Sequence, residues 1–201
     1  MSISTLKEIP TLYYKHRVAK NILDRISIWN GDITKLETDA IVNAANSRLA
    51  GGGGVDGAIH RAAGYSQLRE ETKKYGECEV GQAVITSGCK MEHIKNIIHT
   101  VGPQVYSSLR DEHREDLISC YKQSLELAKK HDLKSIAFCC ISTGVYGYPN
   151  DDAASSVSKF LVDYLEKNPN IERVTLVTFL EIDEDLYSAW FAKYAESQKE
   201  Q

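Results

Sequence analysis

The sequence predicts an α/β domain in which a mostly parallel central sheet lies between two layers of helices. Short apolar strands alternate with helical patterns along most of the chain. The segment 135–141 is almost continuously apolar, as expected of a strand that is buried on both faces. Glycine-containing loops at 51–57 and 142–147 each follow a predicted strand. Ligands bind at the carboxyl ends of strands in such sheets, so we expect both loops at one edge.

The composition excludes several classes of protein. The chain has 201 residues, enough for one domain with a short extension, and 26% of its residues are charged. A net charge of −4 without a basic stripe argues against general nucleic-acid binding. Five cysteines without a CxxC pair favour reduced thiols, and therefore a cytoplasmic or nuclear location, over a zinc site. No apolar run approaches about 18 residues, so no membrane association is expected. We expect no cofactor, no metal and a monomer.

The first half of the chain contains a leader, four strands and a helical region. Residues 1–20 are expected to pack as a leader on a domain formed by residues 21–201. A helical pattern covers 55–64 and continues to about Tyr75. Clusters of β-branched residues between turn residues predict strands at 26–29, 40–43, 82–86 and 96–100.

The second half alternates three helices with two strands. The helix at 112–130 carries apolar residues on one face, and the strand at 135–141 follows it. Asn150 is the expected N-cap of the next helix, which ends before Pro169. A strand is predicted at 173–179. The last helix, at 183–194, has apolar residues spaced by four: Leu186, Trp190 and Tyr194.

The stretch from Asn43 to Gly64 is the most informative part of the chain. Its four consecutive glycines lose much backbone entropy when they are ordered. Close approach of backbone amides to an anion is the usual reason for such order. No Lys or Arg lies between Leu49 and His60, so N–H groups and a helix dipole would hold the anion. The alternative is a flexible linker, which the flanking strand and helix patterns disfavour.

Other glycine motifs fit this stretch less well. Gly52, Gly54 and Gly57 have the spacing G-x-G-x-x-G of a dinucleotide fingerprint, but an eight-residue polar insertion separates them from the strand. No Gly-Lys-Ser/Thr follows the glycines, which excludes a P-loop. No G-x-S-x-G elbow is present either. The pattern alone therefore indicates a phosphate-binding α/β domain with a carboxylate, Asp56, in the first turn of a helix.

Across residues 20–195 the chain resembles the macrodomain family, specifically its MacroD-type branch. The segments that carry the resemblance are GDIT at 31–34, AIVNAAN at 40–46, GGGGVDGAIHRAAG at 51–64, ISTGVYGYP at 141–149 and TFLEIDEDLY at 178–187. The resemblance implies a three-layer α/β/α macrodomain with a mixed, mostly parallel sheet. It also implies binding of ADP-ribose.

The resemblance assigns the adenine end of the ligand to two strand ends. Asp32 would accept hydrogen bonds from the adenine amino group, and Ile33 would line the pocket through its backbone amide. Phe179 would pack against the adenine ring. Without the resemblance, the simpler interpretation of Asp32 is an ordinary turn or cap residue, and the alternative for Phe179 is a core residue.

The two glycine loops would bracket the diphosphate. The residues implied in ligand binding are Gly52, Gly53, Gly54 and Val55 in the first loop and Ser142, Thr143, Gly144, Val145, Tyr146, Gly147 and Tyr148 in the second. Tyr148 matches an aromatic residue that lies by the distal ribose in the family. An anchor for the loop is the alternative role of Tyr148.

The catalytic candidates are Asp56, His60 and Asn46, with Asn43 placed on the distal ribose by the resemblance. The helix dipole favours the ionised form of Asp56. His60 follows one turn later on the same face, where a satisfied core histidine is the alternative. Asn46 fits a supporting or a catalytic position. Either Asp56 or the α-phosphate of the substrate would activate the attacking water.

These roles imply a hydrolase that removes mono-ADP-ribose from Asp and Glu side chains and cleaves O-acetyl-ADP-ribose. The expected partners are ADP-ribose, O-acetyl-ADP-ribose and mono-ADP-ribosylated proteins. The alternative is a reader module that binds ADP-ribose without turnover. Neither loop contains a lysine for a covalent intermediate, and no Cys/His cluster lies near the first loop.

Overall fold

The computed structural model describes residues 2–199 and has a seven-stranded sheet with helices around it. The strands are β1 (Ser4–Thr5), β2 (Ile26–Asn30), β3 (Leu36–Ala44), β4 (Ala83–Ser87), β5 (Ile94–Thr100), β6 (Ser135–Phe138) and β7 (Arg173–Thr178). The helices are α1 (Leu12–His16), α2 (Lys20–Leu23), α3 (Gly54–Ala63), α4 (Tyr65–Thr72), α5 (Asp111–Lys130), α6 (Asn150–Lys167) and α7 (Glu181–Lys199). Within residues 2–199 no helix is both long enough and apolar enough to cross a membrane.

The strand order is β2-β7-β6-β3-β5-β4, with β1 paired to the start of β3. Every pairing is parallel except that of β4 with β5. The predicted fold class, a three-layer α/β/α arrangement with a mixed, mostly parallel sheet, is confirmed. Strands β3 and β6 are direct neighbours, so the two glycine loops that follow them start at the same edge, as predicted.

The centre of the sheet is the core of the domain. Ile41 and Val42 of β3, Ile98 of β5 and Phe138 of β6 are fully buried. Each such side chain contributes about 1.5–3 kcal/mol by leaving water. Strand β6 ends at Phe138, three residues earlier than predicted, and residues 139–141 lead into the second glycine loop.

Two predictions about the last helices are wrong in detail. The buried residues of α7 are Asp183, Tyr187, Phe191 and Ala195, one position away from the predicted face of Leu186, Trp190 and Tyr194. That face is only partly buried, because α7 is apolar on two adjoining strips and periodicity alone does not choose between them. Asn150 is not a side-chain cap; its Nδ2 donates to Asp183 Oδ1 at 2.6 Å and joins α6 to α7.

The N-terminal segment is attached to the sheet. Ile9 and Leu12 are buried in the main core, and Ile22 and Leu23 of α2 join them. Arg173 of β7 donates to the backbone carbonyls of Leu6 and Ile9, each at 3.4 Å. The division into a leader and a separate domain stays a prediction.

Candidate functional site

The predicted site residues line one edge of the sheet in an order set by the strands. Asp32 follows β2, Phe179 follows β7, the loop at 142–148 follows β6, and Asn43 lies near the end of β3. These strands are consecutive neighbours in the sheet. Parallel strands are about 4.8 Å apart, so the edge from β2 to β3 is about 14 Å long. Residues far apart in the chain therefore form one continuous surface.

The first glycine loop presents a helix N-terminus. Gly53 is the extended N-cap of α3, and the first helical hydrogen bond runs from Gly57 N to Gly53 O at 3.2 Å. The amides of residues 54–56 precede that bond and have no acceptor inside the helix. A Cβ at Gly57 would lie 2.5 Å from the carbonyl oxygen of Gly52, so this close approach requires glycine. It would also lie 3.1 Å from Nη1 of Arg61, which places one cation beside the loop.

Asn46 braces the same loop. Its Nδ2 donates to the carbonyl of Gly51 at 3.0 Å, and its Oδ1 accepts from the amide of Ala50 at 3.3 Å. Both ends of the side-chain amide are therefore occupied by backbone. Of the two roles that the sequence left open for Asn46, supporting or catalytic, this geometry favours the supporting one.

Asp56 is the centre of a buried polar cluster. The carboxylate is in the first turn of α3 and is 5% exposed. Its Oδ1 accepts from Asn43 Nδ2 at 2.8 Å and lies 3.0 Å from His60 Nδ1. Its Oδ2 faces the glycine loop, because a Cβ at Gly52 would be 3.3 Å away from it. The protein therefore holds one carboxylate oxygen and turns the other towards the loop.

His60 is bound to Asp56 twice. Its Nδ1 also lies 2.9 Å from the Asp56 carbonyl oxygen, which makes Nδ1 the protonated nitrogen. Burial favours neutral imidazole, but the hydrogen bonds and the charge of Asp56 outweigh it and raise the pKa of His60 above its ordinary value. In the described part of the chain, His60 Nε2 and Asn43 Oδ1 are buried without a hydrogen-bond partner. Both are polar atoms left available beside Asp56.

His99 extends this cluster and was not singled out from the sequence. It is fully buried in β5, directly beside Asn43 in the strand register, and its Nδ1 lies 3.1 Å from Asn43 Nδ2. Its Nε2 lies 3.0 Å from Thr86 Oγ1 on β4. Burial lowers the pKa of His99 to about 4. A histidine directly after the apolar pair Ile97 and Ile98 was the only signal that the sequence offered.

The second glycine loop is held by local backbone bonds. Tyr148 N donates to Ser142 O, and Gly147 N donates to Gly144 O, each at 3.0 Å. Gly147 has a φ of +70°, and a Cβ there would lie 2.8 Å from the carbonyl oxygen of Val105. The tip is open to solvent, since Val145 is 96% exposed. Its backbone can therefore contact a ligand without displacing other protein groups.

The structure separates the roles that the sequence left open for three aromatic or acidic residues. Tyr148 is 1% exposed and its hydroxyl donates to Asp152 Oδ1 at 2.8 Å, which favours the loop-anchor alternative over contact with a ribose. Phe179 is 87% exposed, so it is not a core residue. Asp32 is exposed and its Oδ1 caps Thr34, accepting from N at 3.0 Å and Oγ1 at 2.7 Å. Only its other oxygen is left for a ligand.

The remaining predicted ligand contacts differ in exposure. Gly52, Gly53 and Gly54 are exposed at the first loop, and Val55 is half-buried. In the second loop Gly144 and Gly147 are exposed, Thr143 and Tyr146 are half-buried, and Ser142 is buried. The side chain of Ile33 is buried in the core. Their contacts with a ligand stay predictions.

A sheet edge that joins exposed backbone loops to the buried polar cluster around Asp56 is the layout expected of an α/β domain that binds an anionic ligand. The family model described as Macro domain matches residues 42–157. The chain is 49% identical over 172 residues to "ADP-ribose glycohydrolase MACROD2" of Xenopus laevis, which covers 85% of this chain and 41% of that protein. It is 48% identical over 181 residues to "ADP-ribose glycohydrolase MACROD1" of Rattus norvegicus, which covers 90% of this chain and 69% of that protein.

A solved structure agrees with the sequence comparisons. The Trypanosoma brucei macrodomain in complex with ADP-ribose superposes with a TM-score of 0.84 at 36% identity, covering 94% of this chain and 77% of that one. This chain belongs to the macro domain family, and the resemblance seen in its motifs is confirmed. It spans less than half the length of the Xenopus relative.

Proposed function

We propose that this protein binds ADP-ribose along the sheet edge and hydrolyses its esters. The substrates would be mono-ADP-ribosylated Asp and Glu side chains and O-acetyl-ADP-ribose. The relatives named as ADP-ribose glycohydrolases and the ADP-ribose complex of a macrodomain support this proposal. A cytoplasmic or nuclear location belongs to the same proposal, and the five free cysteines support it.

The order of groups along the edge supports a single orientation of the ligand. Adenine would lie between Phe179 and the free oxygen of Asp32, over the ends of β7 and β2. The diphosphate would contact the backbone of the two glycine loops, where the N-terminus of α3 favours negative charge. The distal ribose would then reach Asn43 and Asp56 at the end of β3. We expect micromolar affinity, about −8 kcal/mol.

The distal end supplies the chemistry. Asn43 Oδ1, buried and unpartnered within residues 2–199, would accept a hydrogen bond from a ribose hydroxyl. Asp56 Oδ2 would accept a proton from, or orient, the water that attacks the anomeric carbon or the ester carbonyl. His60 holds the opposite carboxylate oxygen in place. An alternative route uses the substrate's phosphate to activate the water, with Asp56 positioning the ribose.

The buried carboxylate is the single observation that favours an enzyme over a reader. A reader gains nothing for diphosphate binding from a desolvated negative charge next to the phosphate loop, because like charges repel. Asp56 nevertheless lies there, held by two side chains, with one oxygen turned to the loop. Such preorganisation is what a hydrolytic site requires.

The proposal is tested by release of ADP-ribose from a mono-ADP-ribosylated acidic protein and by cleavage of O-acetyl-ADP-ribose. Asp56→Ala is expected to lower the turnover of both esters by about 100-fold or more, the size of a lost general base or water-orienting group. Asp56→Asn keeps the volume and is expected to be similarly slow, which separates charge from packing. Calorimetry should show ADP-ribose binding changed by no more than about threefold. Binding by the parent without any turnover would leave the reader as the function.

A further inference from the structure

A chain of buried hydrogen bonds runs from Asp56 through Asn43 and His99 to Thr86. The contacts are 2.8 Å from Asn43 Nδ2 to Asp56 Oδ1, 3.1 Å from Asn43 Nδ2 to His99 Nδ1, and 3.0 Å from His99 Nε2 to Thr86 Oγ1. All four residues are at most 5% exposed. Water therefore does not compete for these bonds, and each donor has to meet an acceptor inside the protein.

The carboxylate determines the direction of every bond in the chain. Asp56 Oδ1 is an acceptor, so the Asn43 amide has to turn its NH₂ group towards it. The second hydrogen of that NH₂ group then points to His99 Nδ1, which has to be unprotonated. The proton of neutral His99 is therefore on Nε2, facing Thr86. Thr86 Oγ1 can accept it because its own hydrogen is directed to a backbone carbonyl, that of Ser87 at 3.2 Å or Ile97 at 3.4 Å.

The surroundings of His99 keep it neutral. Burial lowers the pKa of His99 to about 4, and positive charge on His60 acts in the same direction. The acidic groups that oppose them are Asp56 of α3 and Glu71 of α4. A charged His99 would carry a proton on Nδ1 and meet the NH₂ group of Asn43 donor to donor. The neutral form is the only one that fits the contacts.

We propose that His99 and Thr86 are positioning residues that hold the Asn43 amide in one orientation, with Nδ2 on Asp56 and Oδ1 free for the ligand. This inference rests on the proposed hydrolase function for its effect on turnover, whereas the tautomer of His99 does not depend on it. Neither residue touches the ligand. Thr86 holds His99, and His99 in turn holds Asn43, whose Oδ1 would bind the ribose.

The first test uses the unliganded parent protein and needs no activity. Nitrogen-resolved NMR of the imidazole side chains at neutral pH should show His99 with an unprotonated Nδ1 and a protonated Nε2. The His99 signals are assigned by their loss in His99→Gln. A proton on Nδ1, or a charged His99 ring, would overturn the inference.

The second test compares two substitutions of one side chain. Thr86→Val keeps the shape but leaves the Nε2 proton of His99 without an acceptor, whereas Thr86→Ser keeps the hydroxyl. We expect Thr86→Val to lower kcat for O-acetyl-ADP-ribose by about tenfold, the factor that about 1.4 kcal/mol produces, and to disturb the tautomer signal. Thr86→Ser should stay within about twofold of the parent on both readouts.

Thr175→Val is the matched control, because it removes another buried strand hydroxyl on β7, three strands away from β5. It should leave kcat and the His99 signals unchanged. Full kcat in Thr86→Val, with a parent that turns over, would refute the positioning role and leave the hydrolase function standing. If the parent shows the expected tautomer but no turnover, only the hydrolase function is refuted. The orientation of Asn43 is then tested by the affinity for ADP-ribose, which should be weaker in Thr86→Val but not in Thr86→Ser.

Discussion

The Asp56 end of the site is buried and held by side-chain hydrogen bonds, whereas the Phe179 end is open to solvent. Asp56, Asn43, His60 and His99 are each at most 5% exposed, and Phe179 is 87% exposed. The buried end has lost its water during folding, so its polar groups are oriented before any ligand arrives. The exposed end gains its contacts only when a ligand covers it. Changes at the buried end should therefore alter stability and chemistry, and changes at the exposed end should act mainly on affinity.

The largest effect on affinity is expected in the glycine loop between these ends. A Cβ at Gly53 would meet no atom within 4 Å, so a side chain fits there in the free protein. In Gly53→Glu, a carboxylate about 4 Å from a phosphate is repelled by about 4 kcal/mol at an effective dielectric constant of about 20, and less where solvent screens it. We expect about 100-fold weaker ADP-ribose binding by calorimetry at an unchanged melting temperature.

Gly53→Gln has almost the same bulk without the charge and is the control for that substitution. It should bind much more tightly than Gly53→Glu. Equal losses in the two variants would mean that bulk, and not charge, blocks the loop. Retained binding in Gly53→Glu would place the diphosphate elsewhere.

The second largest effect is expected in the pH dependence of stability, and its source is His99 at the buried end. Because the pKa of His99 falls from 6.5 to about 4 on folding, its unfolded form binds more protons between these values. The contribution of His99 to the free energy of unfolding is therefore complete above pH 6.5 and decreases as the pH falls. By pH 5 the protein has lost about 2 kcal/mol of it. The raised pKa of His60 has the opposite sign: its contribution is complete below 6.5 and is lost only as the pH rises.

Urea unfolding at pH 7 and pH 5 measures the His99 contribution. The parent should lose about 2 kcal/mol more than His99→Gln between these two values, whatever the absolute stability of the variant. Parallel losses in both proteins would show that His99 is not held neutral in the fold. Asp32→Ala, at the exposed end, should lose as much unfolding free energy between pH 7 and pH 5 as the parent does.

The smallest effects are expected at the adenine end. Asp32→Ala should weaken ADP-ribose binding about tenfold, as expected for one charge-assisted hydrogen bond, and Phe179→Ala somewhat less. Neither should change the response to ribose 5-phosphate, which lacks the adenine. Asp32→Asn keeps an oxygen to cap Thr34 and isolates the carboxylate charge. Equal losses for ligands with and without adenine would contradict this placement.

Much of the fold and the phosphate loop with Asp56 could be predicted from local patterns, whereas the roles of Asp32, Phe179 and Asn43 came from the family resemblance. A strand such as β3 is marked by its apolar run and by the polar residues at its end. The glycine run before Asp56 marks a loop and a helix start, because few other sequences tolerate such backbone geometry. Strand-end placement then brings Asp32, Phe179 and the two loops to one edge, since parallel strands share a direction.

The sequence by itself therefore determined six of the seven strands, the two glycine loops and the family to which the chain belongs, but not β1. Only the tertiary structure decided which way Tyr148 turns, which strip of α7 is buried, and that His99 joins Asn43 to Thr86. Each of these depends on how side chains and neighbouring elements pack in the folded protein, and periodicity carries no information about that packing. The direction of the buried hydrogen bonds has the same origin: one carboxylate, brought beside β3 by α3, forces the orientation of every polar group that follows it.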